Sequence, residues 1–318
     1  MRGSGVRVPP PAPVSRPGPI RPLSLVAAPS RRARVPRMLR LLSLLPLPLL
    51  YAMFGLAAWL LRVTGWRRGL VDDGLERCLP ERDEASRASI ARDFYAWLGQ
   101  LAAEFVHGAR IDPDDLSQRL RFENTEAVAD AFASGRRVLL LAAHHCNWEW
   151  LLLRCSTAFS EPLTAAYKPA SRETADGWLR AMRGRFGATM VPAKDLVQHL
   201  LAARGKVRFL AMVADQSPAA KSDQQTWLPF FGQDTAFFQG PGWISARMGF
   251  VPVFVAMRSE GRGRYVARFE PLAAPGEKLD PDQVLRAYVA ALERQVHEHP
   301  SRYFWAYNRW KRTKRLYE

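Results

Sequence analysis

The chain has 318 residues, 48% of them hydrophobic and 24% charged, which excludes a disordered protein and leaves room for one large domain with extensions. The formal net charge is +16, yet twelve of the 46 basic residues and none of the 30 acidic ones fall between Met1 and Arg68. The other 34 basic residues nearly cancel the 30 acids, so the basicity belongs to one end and points to a membrane surface or nucleic acid.

Residues 1–37 hold nine of the 24 prolines and show neither helical nor strand periodicity, which predicts disorder. Met38 directly precedes the first structured segment and is an alternative start. No base-reading module accompanies this basic stretch, so no nucleic-acid partner is expected. Leu41 to Leu61 is apolar and uncharged, and its ~21 residues would span ~30 Å as a helix, enough for a bilayer core. Pro46 and Pro48 in its first half allow a kink or a shallow re-entrant anchor instead. Arg37, Arg40, Arg62, Arg67 and Arg68 flank the stretch, and Trp59 and Trp66 suit a membrane interface. No small-x-small site follows for signal-peptide cleavage. The expected organisation is a membrane anchor over 38–68 and a catalytic domain over 69–318, its first part helical. Within 70–118 the clearest amphipathic run is Ser86 to Val106, where Ile90, Phe94, Trp97, Leu98, Leu101 and Phe105 recur at three- and four-residue steps.

From Val138 the pattern alternates. Strands are expected at Val138 to Ala143, Leu163 to Lys168, Thr189 to Val191, Val207 to Ala214, Val251 to Met257 and Arg264 to Phe269. Helices are expected at Trp148 to Phe159, Glu173 to Phe186, Leu196 to Arg204, Gly240 to Met248 and Pro281 to His297. Elements of this length in this order predict an α/β fold with a mixed sheet flanked by helices. Trp227 to Gly232 and Phe237 to Gly240 read as aromatic loops that line an acyl-chain groove, lie at a bilayer interface, or pack over the sheet.

The chemistry concentrates where the first strand ends. His144-His-Cys-Asn-Trp-Glu149 places a histidine just past a buried strand and a carboxylate five residues on. That arrangement suits a base that takes a hydroxyl proton, His144, and a group that stabilises its imidazolium, Glu149. Ligands of α/β sheets bind outside the carboxyl ends of the strands, which fits this location. Asp215 and Gln216 leave another buried strand and either share the crevice with His144 or form an ordinary strand-ending turn. Lys168, in Tyr167-Lys-Pro169, offers a point charge for a phosphate or carboxylate. Cys146 raises a thiol-nucleophile alternative. A metal site from His144, His145 and Cys146 is disfavoured because adjacent residues do not easily converge on one ion, and Cys78, Cys146 and Cys155 have no CxxC spacing. Phosphate-loop, GxSxG and dinucleotide fingerprints are absent. The terminal run Arg302 to Arg315 interleaves aromatics and cations, which suits lipid headgroups, an anionic lipid or an acidic carrier protein.

With these motifs assembled, residues 38–314 resemble the bacterial lipid A biosynthesis acyltransferases, relatives of the lysophospholipid acyltransferases. The likeness lies in the N-terminal apolar segment, the His-x4-acid motif, Tyr167-Lys-Pro169, Asp215-Gln216, Phe230-Phe-Gly232, and Pro300-Ser-Arg-Tyr-Phe-Trp305 with Arg309-Trp-Lys311. Two positions depart from the family pattern: Cys146 stands for the usual glycine and Lys168 for the usual arginine. The resemblance implies transfer of an acyl chain from acyl carrier protein or coenzyme A to a hydroxyl of an anionic glycolipid, a lipid A precursor in lipopolysaccharide biosynthesis. It also implies catalytic roles for His144 and Glu149, and substrate contacts at Asn147, Lys168, Asp215, Gln216 and Arg309. Neither a metal nor a resident cofactor is implied, the acyl thioester being a co-substrate. The expected location is the cytoplasmic face of the inner membrane. A lysophospholipid, a mannosylated lipid or a pigment as acceptor stays open, as does a non-catalytic membrane-binding role.

Overall fold

The computed structural model describes residues 41–218, 224–274 and 276–310. The disorder expected over 1–37, residues 38–40 of the anchor segment and residues 311–318 of the terminal basic run lie outside them. Helices α1 (Leu47–Val63), α2 (Arg68–Cys78), α3 (Glu84–Gly108) and α4 (Pro113–Arg119) come first. Then follow β1 (Leu120–Glu123), α5 (Glu126–Ala133), β2 (Arg137–Ala142), α6 (Trp148–Ala158), β3 (Leu163–Tyr167), α7 (Glu173–Arg183), β4 (Thr189–Pro192), α8 (Leu196–Ala202) and β5 (Phe209–Val213). A hairpin of β6 (Gln225–Phe230) and β7 (Gln233–Phe238) leads into α9 (Gly240–Met248), β8 (Phe250–Ser259), β9 (Tyr265–Pro271) and the closing helix α10 (Pro281–Glu298).

The main sheet runs β1-β9-β8-β2-β5-β3-β4, parallel throughout except for the antiparallel β8–β9 pair. This is the mixed α/β sheet that the alternation predicts. β2 lies at its centre, and its apolar run serves both faces, as a buried parallel strand requires. Leu139 and Leu141 join a core with Phe94 and Trp97 of α3 and Tyr288 and Leu292 of α10. Val138 and Leu140 join the opposite core, with Trp150 and Leu153 of α6 and Leu47 and Leu50 of α1. Each fully buried side chain of this size contributes roughly 1.5–3 kcal/mol, so β2 is among the most firmly held strands.

The aromatic stretches expected as loops are instead the β6–β7 hairpin. Phe230 pairs with Gln233 across a two-residue turn in which both Phe231 (φ 51°) and Gly232 (φ 70°) are left-handed. Phe230 and Phe237 are fully buried.

The N-terminal apolar stretch also differs from expectation. Pro46 caps α1, which therefore begins at Leu47 and has 17 residues, about 25 Å of helix. After a turn through Gly65 and the left-handed Arg67 the chain bends by 83° into α2. Among the described residues no single helix is long and apolar enough to cross a membrane, although α1 and α2 together meet that test of length and composition. One side of α1 is committed to the protein: Leu47, Leu50 and Ala58 are buried, and α1 meets α3 at Gly99. Another side exposes Leu49, Met53, Leu56, Leu60 and Val63 at three- and four-residue steps.

A Cβ on Gly99 would stand 2.7 Å from the Phe54 carbonyl oxygen, whereas one on Gly55 would meet nothing within 4 Å. Gly99→Ala is therefore expected to destabilise the protein by ~1–3 kcal/mol and Gly55→Ala to stabilise it by up to ~1 kcal/mol, read by thermal unfolding. Equal melting temperatures for the two variants would contradict this packing of α1 on α3.

Candidate active site

The register of two central strands assembles the site. Ala142 of β2 stands beside Val213 of β5, and the Ala214 N–H donates to the Ala142 carbonyl at 3.1 Å. Two residues beyond that pair, at the same carboxyl edge, lie His144 and Asp215. The Asp215 Oδ1 accepts from the His144 backbone N–H at 3.2 Å and lies 2.7 Å from the imidazole Nδ1. A carboxylate there favours the tautomer with the proton on Nδ1 and leaves Nε2 as the lone-pair nitrogen. Nε2 lies 3.4 Å from Gln216 Nε2. Leu70 and Asp73 of α2, Tyr303, Phe304 and Trp310 help wall the narrow cleft that holds His144, Asp215 and Gln216.

Asp215 is fully buried. Burial alone pushes its carboxyl up, but the charge and hydrogen bonds of His144, together with the Arg309 charge, outweigh that penalty and hold it below the ordinary value. Its position beside Nδ1 suits it to stabilise a positively charged imidazole ring.

The turn between β2 and α6 is fixed from several directions. Cys146 adopts φ 50°, and its N–H donates to the Arg302 carbonyl at 2.9 Å. The Phe304 N–H donates to the His144 carbonyl at 3.0 Å, so the segment after α10 clamps the turn. His145 is buried with Nε2 3.1 Å from the His299 carbonyl, and burial pushes its pKa down to about 3. It is a neutral structural histidine.

The pairing of Glu149 with His144 expected from their spacing is not formed. Glu149 receives Arg183 Nη2 at 2.6 Å and Nε at 2.8 Å, and Trp148 Nε1 at 3.1 Å. The reason is local geometry. Asn147 caps α6 by accepting from the Trp150 N–H at 2.9 Å, so Glu149 sits in the first helical turn and faces the end of α7, where Arg183 engages both carboxylate oxygens. The acid that reaches the imidazole comes from β5.

The other expected contact residues divide. Gln216 and Arg309 line the cleft with His144. Arg309 is buried, its guanidinium carbon 4.3 Å from the Phe237 ring centre, and its nitrogens have no hydrogen-bond partner among the described residues. Asn147 is fully buried, donating to Glu104 at 2.7 Å as well as capping α6, and does not line the cleft. Lys168 is exposed at the end of β3 and also lies outside the cleft lining. Sequence reasoning missed Arg183, for which spacing gives no signal. It also missed Glu104, whose signal was a lone acid inside the apolar run Leu101 to Val106.

The sequence model of the bacterial lipid A biosynthesis acyltransferases matches residues 35–312. The chain belongs to this family. It is accordingly an acyltransferase, and its family's role is acyl transfer in lipid A synthesis. A lipid A biosynthesis acyltransferase of Haemophilus influenzae is 23% identical over 256 residues, which cover 79% of this chain and 77% of the relative.

For this acyltransferase the thiol-nucleophile alternative fails on access: Cys146 is fully buried, its Sγ 3.6 Å from the Met257 carbonyl, and burial pushes the thiol pKa far up. Its left-handed backbone also explains why glycine suits the position, since a side chain there is strained. Cys146→Gly is expected to retain acyl transfer within a few-fold and to change stability by no more than ~1 kcal/mol, strain relief offsetting lost burial. A hundredfold loss of activity in a folded Cys146→Gly enzyme would return the thiol to the mechanism.

Proposed function

We propose that the protein moves a fatty acyl chain from an acyl thioester, carried by acyl carrier protein or coenzyme A, to a hydroxyl of a lipid A precursor. The observation that carries this reading is the His144–Asp215 pair, which lines a cleft in a member of an acyltransferase family. In the proposed reaction Nε2 takes the hydroxyl proton as the acceptor oxygen attacks the thioester carbonyl and a C–O bond forms. The tetrahedral intermediate collapses with cleavage of the C–S bond, and the imidazolium returns the proton to the departing thiolate. Asp215 retains the Nδ1 proton and stabilises the positive ring. Gln216 Nε2, beside His144, is the donor we assign to the oxyanion. Transfer is direct and requires no acyl-enzyme.

The exposed apolar side of α1 and the exposed Arg62, Arg67 and Arg68 at its end support residues 38–68 as the membrane-binding part and 69–318 as the catalytic part. Because α1 also packs on α3, we favour a helix lying in the headgroup layer over one that crosses the bilayer. On this reading the enzyme works at the cytoplasmic face of the inner membrane, where an acyl thioester and a nascent glycolipid meet. The excess of basic residues would draw in an acidic carrier protein and an anionic lipid.

The test is transfer of a radiolabelled acyl chain from carrier-protein or coenzyme A thioester to a lipid A precursor by purified enzyme. Wild type is expected to be active, and His144→Ala and Asp215→Asn each to lower kcat by about 10³-fold or more. Either variant within tenfold of wild type would sink the mechanism. Acylation of a lysophospholipid but not of the precursor would overturn the acceptor while leaving the chemistry standing.

A further inference from the structure

Glu104 is the one acid in the Leu101 to Val106 stretch of α3, and it is completely buried. Its carboxylate receives three donors: Tyr51 Oη of α1 at 2.9 Å, Asn147 Nδ2 at 2.7 Å and Tyr265 Oη of β9 at 2.7 Å. Its own carbonyl accepts Trp150 Nε1 of α6 at 3.0 Å. Among the described residues no cation forms a salt bridge with it, and burial drives its pKa up. A carboxylate in this position is costly by comparison with an apolar side chain of equal volume. What it supplies is the oxygen Oε2, which faces the Asn147 amide and accepts from its Nδ2.

That acceptor fixes which way Asn147 points. With Nδ2 directed at Glu104, Oδ1 is left to accept the Trp150 N–H and start α6. A flipped amide would bring two donors together at the cap and leave Glu104 facing an acceptor. Asn147 directly follows the left-handed Cys146 and ends the turn on which His144 sits, so its orientation and the direction of that turn are coupled. We infer that Glu104 is a positioning residue for acyl transfer, acting through Asn147 to hold the turn that presents His144 to Asp215 and the cleft. The Tyr51 bond ties the same hub to α1, so the apolar-faced helix and the catalytic turn share one buried anchor. The inference rests on the reading of His144 as the general base.

The test exchanges donor and acceptor across one bond. Asn147→Asp keeps a cap acceptor for the Trp150 N–H but sets a second carboxylate against Glu104. Assayed above neutral pH, it is expected to lose about 10²-fold in kcat while KM for the acyl donor stays within about threefold. Glu104→Gln still offers an acceptor to Asn147 and is expected to keep most of the activity. The double variant Glu104→Gln with Asn147→Asp restores a donor facing an acceptor, with the roles reversed, and is expected to return kcat to within about tenfold of wild type. An Asn147→Asp enzyme with wild-type kcat, or a double variant no more active than Asn147→Asp, overturns the inference. His144→Ala run in parallel separates the two claims. If it is inactive while the exchange pattern is absent, only the positioning role falls; if it is fully active, the general-base reading falls first.

Discussion

The site depends on one carboxylate oxygen. Asp215 Oδ1 holds His144 by its backbone N–H and faces its ring Nδ1, so a single atom fixes both the chain and the imidazole. This is available only because β2 and β5 run parallel side by side with Ala142 opposite Val213, so both chains leave the sheet at the same edge. The buried apolar residues that set that register therefore also set where His144 and Asp215 meet. Burying Asp215 would be unfavourable if the imidazole were elsewhere; with it in place the net effect is a carboxyl held below its ordinary range.

Around this pair the fold distributes supporting roles to groups distant in sequence. The segment after α10 returns to bond the turn through Arg302 and Phe304, and α3 reaches it from beneath through Glu104. Glu149, the acid nearest in sequence, braces α6 against α7 through Arg183. Both partners of that brace are largely buried, and such a pair is strongly destabilised when one member is removed. An effect of Glu149 on activity would thus pass through the position of α6, not through the imidazole tautomer.

Much of the α/β sheet is legible in the sequence because buried parallel strands are continuous apolar runs. β2, β3, β5 and β8 were found close to their true limits for that reason, and the helices between them followed from periodicity. β1 was missed: it is four residues long, at the sheet edge, and its Arg121 and Glu123 leave no apolar signal. The hairpin is hidden in the sequence because Pro229 and the adjacent phenylalanines obscure the two-residue period of β6 and β7. Asp215 and Gln216 were recognisable as polar residues leaving a buried strand, and the sheet order then brings them beside His144. The partner of a carboxylate is different. Glu149 is five residues from His144 and 34 from Arg183, yet it bonds the latter, because tertiary packing and not sequence distance decides where a side chain points.

The central claim, that Asp215 and not Glu149 holds the imidazole, is tested most directly by NMR of the enzyme labelled with ¹⁵N-histidine, with His144→Ala identifying the His144 resonances. The account predicts a downfield Nδ1–H proton for His144 that disappears in Asp215→Asn and persists in Glu149→Gln. Persistence in Asp215→Asn with loss in Glu149→Gln would contradict it and return the imidazole's partner to the helix.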